Sequence, residues 1–263
     1  MKKPEFSSLI VVLKEAHCDV ILNRPEKRNA LNAALIDELH KCFDWLATVP
    51  ELKVVALRGA GPAFCSGADL EYMKGLRDNS YNENLRDSKN LADLYLKILK
   101  FPRPVIAIVQ GPAVAGGCGL AAVCDFIVAG SKAKFGYPEV KIGFVAAMVS
   151  SFLVRQIGER KARDLLISGR LLDAEEALQA GLINKVCGQE DIEEEATALS
   201  QKLQKNSPFA ISKTKEILND FRYAGIGGDM ERLAKLNAEY RQSDDFLEGV
   251  SAFLEKRKPK WNV

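Results

Sequence analysis

An α/β layered fold closed by a helical tail is what the sequence predicts, and three observations carry that prediction. Short β-rich apolar runs alternate with helical stretches up to about residue 190. Two of those runs pass directly into loops of small residues that open helices. Beyond that point only helical periodicity remains, which divides the chain into a core over residues 1–190 and a helical region over residues 191–263. The second region carries enough apolar surface to cover the core or a neighbouring subunit, so an oligomerisation role is expected of it. With 263 residues, 47% hydrophobic and 27% charged, the chain can bury a sizeable core.

The elements follow in order. Leu9–Leu13 and Val20–Leu22 are β-rich runs joined by Lys14–Asp19, a hairpin pattern. A helix follows from Asn32 to Ala47, with Leu35, Leu39, Phe43 and Leu46 on one stripe and Asn32 placed to cap it. Val54–Leu57 reads as a buried strand, ended by the breakers Arg58-Gly59-Ala60-Gly61-Pro62. Lys74–Asn90 is polar and weakly periodic, a mobile loop or a surface helix leading into a helix over Leu91–Leu99. Pro102 and Pro104 end that helix. Val105–Val109 is a second buried strand, Leu120–Val123 is helical, and Phe126–Ala129 is a third strand. Asp173, Glu176 and Gly181 supply a capping box and a stop for a helix over Ala174–Ala180. In the tail, Ile192, Ala196, Leu199 and Leu203 form one stripe, and Ser207-Pro208 starts another helix. Met230, Leu233, Leu236 and Tyr240 form a third stripe.

Charge and reactive residues exclude several functions. The 37 basic and 35 acidic residues leave a net charge of +2, so no bulk field draws a polyanion and nucleic acid is not an expected partner. Met1–Phe6 lacks a cleavage pattern, and no apolar stretch reaches the roughly 18 residues of a spanning helix, so a soluble cytoplasmic protein is expected. The six cysteines contain no C-x-x-C pair and lie mostly in apolar segments, which argues against a disulfide scaffold or a thiolate metal site. His17, in a polar turn, and His40, on the polar side of a helix, read as solvated side chains without the neighbours of a triad or metal site.

The chemistry sits in the two strand-to-helix loops. In Cys65-Ser66-Gly67-Ala68-Asp69 small side chains leave the Ser66 amide open, and the start of a helix adds positive partial charge. In Ala115-Gly116-Gly117-Cys118-Gly119 three glycines permit close approach. Two such N–H groups aimed at one oxygen form an oxyanion hole; tight packing is the other use of such turns. Neither loop is G-x-G-x-x-G or G-K-[ST], and no G-x-S-x-G surrounds Ser66, so dinucleotide, Walker-type and serine-hydrolase readings lack support.

The chain resembles the crotonase, or enoyl-CoA hydratase and isomerase, family over nearly its whole length. The resemblance rests on Leu22-Asn23-Arg24-Pro25-Glu26-Lys27-Arg28-Asn29-Ala30-Leu31, Ala63–Leu70, Gly116-Gly117-Cys118 with Cys124-Asp125, Phe135–Gly143 and Ala180-Gly181-Leu182-Ile183. It implies a crotonase-type spiral of ββα repeats with a C-terminal helical region, assembled as a homotrimer or homohexamer. It also implies an acyl-CoA thioester substrate whose CoA is the only cofactor-like group, with no metal. By the same resemblance Ser66 and Gly116 supply the oxyanion amides, and Ser66, Gly67, Ala68, Asp69 and Leu70 form the CoA-holding loop. Lys27 and Arg28, with Ala30, fall in the first loop beside the CoA adenine and phosphates, or are solvated turn charges. Asp69 is equally placed to cap a helix.

Many hydratases of the family carry two glutamates. Here the first position is Gly119 and the second is Glu139, the one carboxylate expected to be catalytic rather than a surface charge. The run Glu139–Phe144 followed by Ser151–Val154 resembles hydratases of methylglutaconyl-CoA and related substrates. The expected activity is therefore addition of water to a 2-enoyl-CoA, branched or dicarboxylic, in fatty or branched-chain acid catabolism such as leucine breakdown. Gly119 would leave space and a backbone donor for a substrate carboxylate. Asp78 and Glu83 are candidate second proton shuttles. The alternatives are a 3-enoyl-CoA to 2-enoyl-CoA isomerase or other acyl-CoA enzyme of the same fold, and a non-catalytic CoA- or RNA-binding protein.

Overall fold

Strands β1 (Leu9–Lys14) and β2 (His17–Leu22) form the expected hairpin, pairing Leu9 with Leu22, in the computed structural model, which describes residues 3–261. Helix α1 (Ala33–Ala47) follows, capped by Asn32, whose side chain accepts the Leu35 N–H at 2.9 Å. Next come β3 (Val54–Gly59), α2 (Leu70–Asp78) and α3 (Tyr81–Leu99). The 74–90 stretch is therefore helical rather than a mobile loop. Asp69 caps α2, and a Ser80–Glu83 capping box opens α3.

The chain then turns in a spiral. Strands β4 (Val105–Val109) and β5 (Ala113–Val114) lead into α4 (Gly116–Ala122). Strands β6 (Phe126–Gly130) and β7 (Lys134–Gly136) lead into a 3-10 turn, Pro138–Ile142, and α5 (Ala147–Ile157). Each turn gives one strand to a large sheet and one to a small sheet. With β8 (Leu171–Asp173) and β9 (Lys185–Cys187) from later in the chain, the large sheet has the order β1-β2-β3-β4-β6-β9 and is parallel beyond the β1–β2 hairpin; the small one has the order β5-β7-β8. Cys65 extends the small-sheet ladder by a parallel bridge to Ala113. The remaining elements are α6 (Glu159–Ser168), α7 (Ala174–Ala180), α8 (Ile192–Gln204), α9 (Pro208–Tyr223), α10 (Ile226–Tyr240) and α11 (Asp244–Leu254).

Both faces of the central strands are buried, which is why they read as continuous apolar runs. Val55 and Leu57 of β3 join the main core with α1, α3, α4 and α5. Val54 and Ala56, pointing the other way, pack beneath Ile192 and Ala196 of α8. Helix α10 packs on α3 and α5 along Ile226, Met230, Ala234 and Asn237, with Arg241 following at its C-cap; of the expected stripe Met230 is buried and Leu233 packs partly buried against the core, but Tyr240 is exposed. Helix α9 buries none of its side chains, and Phe209 and Phe221 stand 73% and 85% exposed on it.

Neither histidine is free. His17 opens β2 with Nδ1 2.8 Å from the Ser200 hydroxyl and Nε2 3.2 Å from Asp19, and His40 Nε2 lies 2.9 Å from the Asn90 carbonyl. Ser200 sits within α8 and is only 2% exposed, so this Ser–His–Asp cluster docks α8 on the sheet and offers no accessible nucleophile.

Candidate active site

The two small-residue loops are pressed together by the spiral. Val114 N–H donates to the Cys65 carbonyl, and Cys65 N–H donates to the Pro112 carbonyl. A Cβ on Gly117 would stand 2.3 Å from the Cys65 oxygen, so only glycine permits this approach. Gly67, at φ +89°, lies against Ala115 in the same way. Ala115 itself has φ +53°, costly backbone for a residue with a Cβ, and it orients the first amide of α4.

Which amides remain available differs from the sequence expectation. Ser66 N–H donates to the Arg28 carbonyl at 3.1 Å and is not a free oxyanion donor. Leu31 bridges Ala68 in parallel fashion, its N–H donating to the Gly67 carbonyl and its own carbonyl accepting the Asp69 N–H. That pattern turns the N–H of Ala68 to the opposite side, and among the described residues it has no backbone acceptor. Ala68 and Gly116 line one cavity of about 470 Å³. Gly116 is the first residue of α4, where the helix leaves its N–H without an internal acceptor.

Glu139 lines the same cavity from the 3-10 turn. It is 8% exposed, and its Oε2 has no hydrogen-bond partner among the described residues. Burial penalises the charged form and pushes its carboxyl up to about 7. Helix α11 seals the turn: a Cβ on Gly249 would stand 2.3 Å from the Ile142 oxygen, and one on Gly143 would stand 2.1 Å from the Asp245 oxygen. A carboxyl that titrates near neutrality can both take and return a proton.

The other expected residues divide. Lys27 lies on an open groove that adjoins the cavity through Tyr72, which lines both. Arg28 is exposed and contributes its carbonyl rather than its charge. Ala30 is buried, its carbonyl held by Arg24. Asp69 is 4% exposed, caps α2 and pairs with Arg24 at 2.7 Å, so it ties the first loop to the second and is not free for a ligand. Leu70 opens α2; its side chain lies outside the described residues. Gly119 does not line the cavity. Its N–H donates to Ala115, and a Cβ there would stand 2.8 Å from both the Tyr95 hydroxyl and Val149 Cγ1. The space expected beside Gly119 is filled by Tyr95, whose hydroxyl donates to the Gly116 carbonyl at 2.8 Å. Asp78 pairs with Arg77 and Glu83 is spent on its capping box; neither lines the cavity.

Sequence reasoning also missed Tyr95 and the Arg241–Asp87 ion pair, 2.7 Å long, on the cavity wall. The signal for Arg241 was its place eleven residues after Met230, on the face that α10 buries.

The comparisons agree with this geometry. The family model described as enoyl-CoA hydratase/isomerase matches residues 13–263. A Thermus thermophilus protein whose name classes it with the enoyl-CoA hydratases is 42% identical over 253 residues, covering 96% of this chain and 100% of its own. The 2,3-dehydroadipyl-CoA hydratase of Escherichia coli is 34% identical over 254 residues, covering 96% and 98%. The crystal structure of an enoyl-CoA hydratase from Mycobacterium avium superposes with TM-score 0.88 at 30% identity, covering 98% of this chain and 100% of that one. With a buried carboxyl and two unbonded amides lining one cavity in a matching fold, the chain belongs to the enoyl-CoA hydratase/isomerase family, the crotonases, and is an enzyme acting on acyl-CoA.

Proposed function

We propose that the protein hydrates a 2-enoyl-CoA thioester, with Ala68 and Gly116 as the oxyanion donors and Glu139 as the single proton shuttle. The observation that carries this is the buried Glu139 carboxyl, its Oε2 without a partner among the described residues, in the cavity that both amides line. The thioester oxygen accepts the two N–H groups, which draws electron density from the conjugated double bond. The Glu139 carboxylate takes a proton from water while the water oxygen bonds to Cβ. The resulting enolate is held by the amides and takes that proton back at Cα, so the carboxylate is regenerated and one water has been added. No metal or organic cofactor enters this scheme, and CoA leaves as part of the product.

A role for Lys27 in holding the CoA phosphates is supported by its position on the groove that shares Tyr72 with the cavity. The similarity to a 2,3-dehydroadipyl-CoA hydratase supports a dicarboxylic acyl group, as an alternative to the branched substrate of leucine breakdown. The bare apolar face of α9 supports self-association into a trimer or hexamer through the C-terminal helices.

A second reading has its own observation. Glu139 is the one carboxylate lining the cavity that is not held in an ion pair, and a single carboxylate suffices to move a proton from C2 to C4 in a 3-enoyl-CoA. Loss of 2-enoyl thioester absorbance separates the two. Hydration removes that chromophore and must depend on Glu139, whereas conversion of a 3-enoyl-CoA with no effect on 2-enoyl-CoA would make the enzyme an isomerase.

A further inference from the structure

Three charged side chains besides Glu139 line the acyl cavity: Lys141, which is exposed to solvent, and the Asp87–Arg241 pair, which is largely buried. Arg241 of α10 reaches its wall and is 4% exposed. Its Nη1 donates to Asp87 Oδ2 at 2.7 Å and lies 3.4 Å from Asn84 Oδ1, and the guanidinium lies 5.4 Å from the centre of the Phe144 ring. All of its hydrogen bonds to the described residues leave from Nη1. Nε is fully enclosed and has no acceptor.

A buried guanidinium with an idle donor is costly, because the unmade hydrogen bond is not replaced by water. Were the pair there only to fasten α10 to α3, a two-toothed contact to Asp87 would satisfy it better. Asp87 instead takes one corner of the fork. Nη2 makes no hydrogen bond to a described residue and, unlike Nε, is not enclosed, so it is the donor left for a ligand carboxylate.

The position gives a scale. Asp87 precedes Tyr95 by eight residues on α3, about 12 Å along the helix axis. The Tyr95 hydroxyl holds the Gly116 carbonyl, at the end of the cavity where the thioester oxygen would sit. Arg241 therefore stands well beyond the reacting carbons.

We propose that Arg241 is a specificity residue that binds a carboxylate at the far end of the acyl chain, so that the preferred substrates are CoA monothioesters of dicarboxylic acids. This rests on the reading of the cavity as the acyl site. It places the carboxylate-reading group on α10 and not beside Gly119. Asp87 tempers the pair: its charge opposes the incoming carboxylate, so removing that charge strengthens the recognition.

Affinity tests this without turnover. Calorimetric titration with octanoyl-CoA and with its chain-matched ω-carboxyl analogue, and with the six- and ten-carbon pairs, gives a ratio at each length. The wild type is expected to bind the ω-carboxyl member at least tenfold more tightly at one length. Asp87→Asn is expected to widen that ratio several-fold, which a purely structural pair would not do. Arg241→Met alone strands Asp87, so the double variant Arg241→Met/Asp87→Leu is the partner test, and its ratio is expected to fall below one. Equal or weaker binding of the ω-carboxyl member at every length in the wild type would overturn the proposal, as would an unchanged ratio in the double variant. Failure of both members to bind would instead count against the acyl-site reading itself, and the proposal would fall with it.

Discussion

Replacing Glu139 by Gln probes the site through stability as well as rate. The carboxyl is raised from the ordinary 4.5 to about 7 because the cavity dehydrates it. In the unfolded chain it titrates at its ordinary value, so the native state holds the proton to higher pH. A group raised on folding contributes its full stability below about 4.5, and that contribution is lost as the pH rises through about 7. By pH 8 the ionised carboxylate costs the fold about 3 kcal/mol relative to its neutral form. Glutamine has almost the same shape and never ionises. Glu139→Gln is therefore expected to melt roughly 6–10 °C above the wild type at about pH 8, and at nearly the same temperature at about pH 4.5. Circular-dichroism melts across that range measure the difference. In parallel, kcat/KM on a 2-enoyl thioester is expected to rise with pH to a plateau above about 7 in the wild type, and to drop by about 100- to 10,000-fold in the variant. A variant that melts with or below the wild type at the alkaline end would show that Glu139 is well solvated, and the argument for its raised pKa would be lost.

Four further expectations follow from the packing. Replacing the Ala68 peptide N–H by an ester oxygen is expected to lower kcat by about 100- to 1000-fold, whereas the same change at Ser66 should reduce stability more than the chemical step, as its amide is already bonded to Arg28. Rates and melts on the two semisynthetic proteins decide between these amides. Gly119→Glu drives a side chain into the Tyr95 hydroxyl and Val149, and is expected to destabilise by about 1–3 kcal/mol without improving hydration of crotonyl-CoA; a gain in that activity would mean Tyr95 yields the space. Ala115→Gly relieves a backbone conformation that disfavours a Cβ and is expected to add about 1 kcal/mol in urea unfolding, a lowered midpoint speaking against stored strain. Phe221→Glu places a charge on the bare face of α9 and is expected to shift the sedimentation profile toward monomer, while unchanged oligomers would exclude that face from the interface.

The spiral was legible because its strands are short apolar runs with breakers at their ends, and because Asn32, Asp173 and Glu176 announce their helices by local hydrogen bonds. Glu139 and Gly116 were picked out by the resemblance to the family's motifs rather than by any local signal, and both line the one cavity. What could not be read was the direction of a peptide. Ser66 and Ala68 lie two residues apart in one small-residue loop, and only the pairing of that loop with Leu31 decides which N–H faces the cavity. Nor does sequence show what fills the space over Gly119, since Tyr95 comes from a different helix. The 74–90 segment read as either a mobile loop or a surface helix because its helical support is polar, through Ser80, Glu83 and the buried Asn84, and an apolar period is not what holds it.

The seal between α11 and the Glu139 turn also bears on timing. During synthesis the Pro138–Ile142 turn leaves the ribosome well before Gly249 does, and an exposed glutamate there is an ordinary solvated acid. The backbone of the turn that carries Glu139 is thus clamped only once the C-terminal helix docks, so a half-made chain can carry every reacting atom and still lack the support that α11 gives that turn.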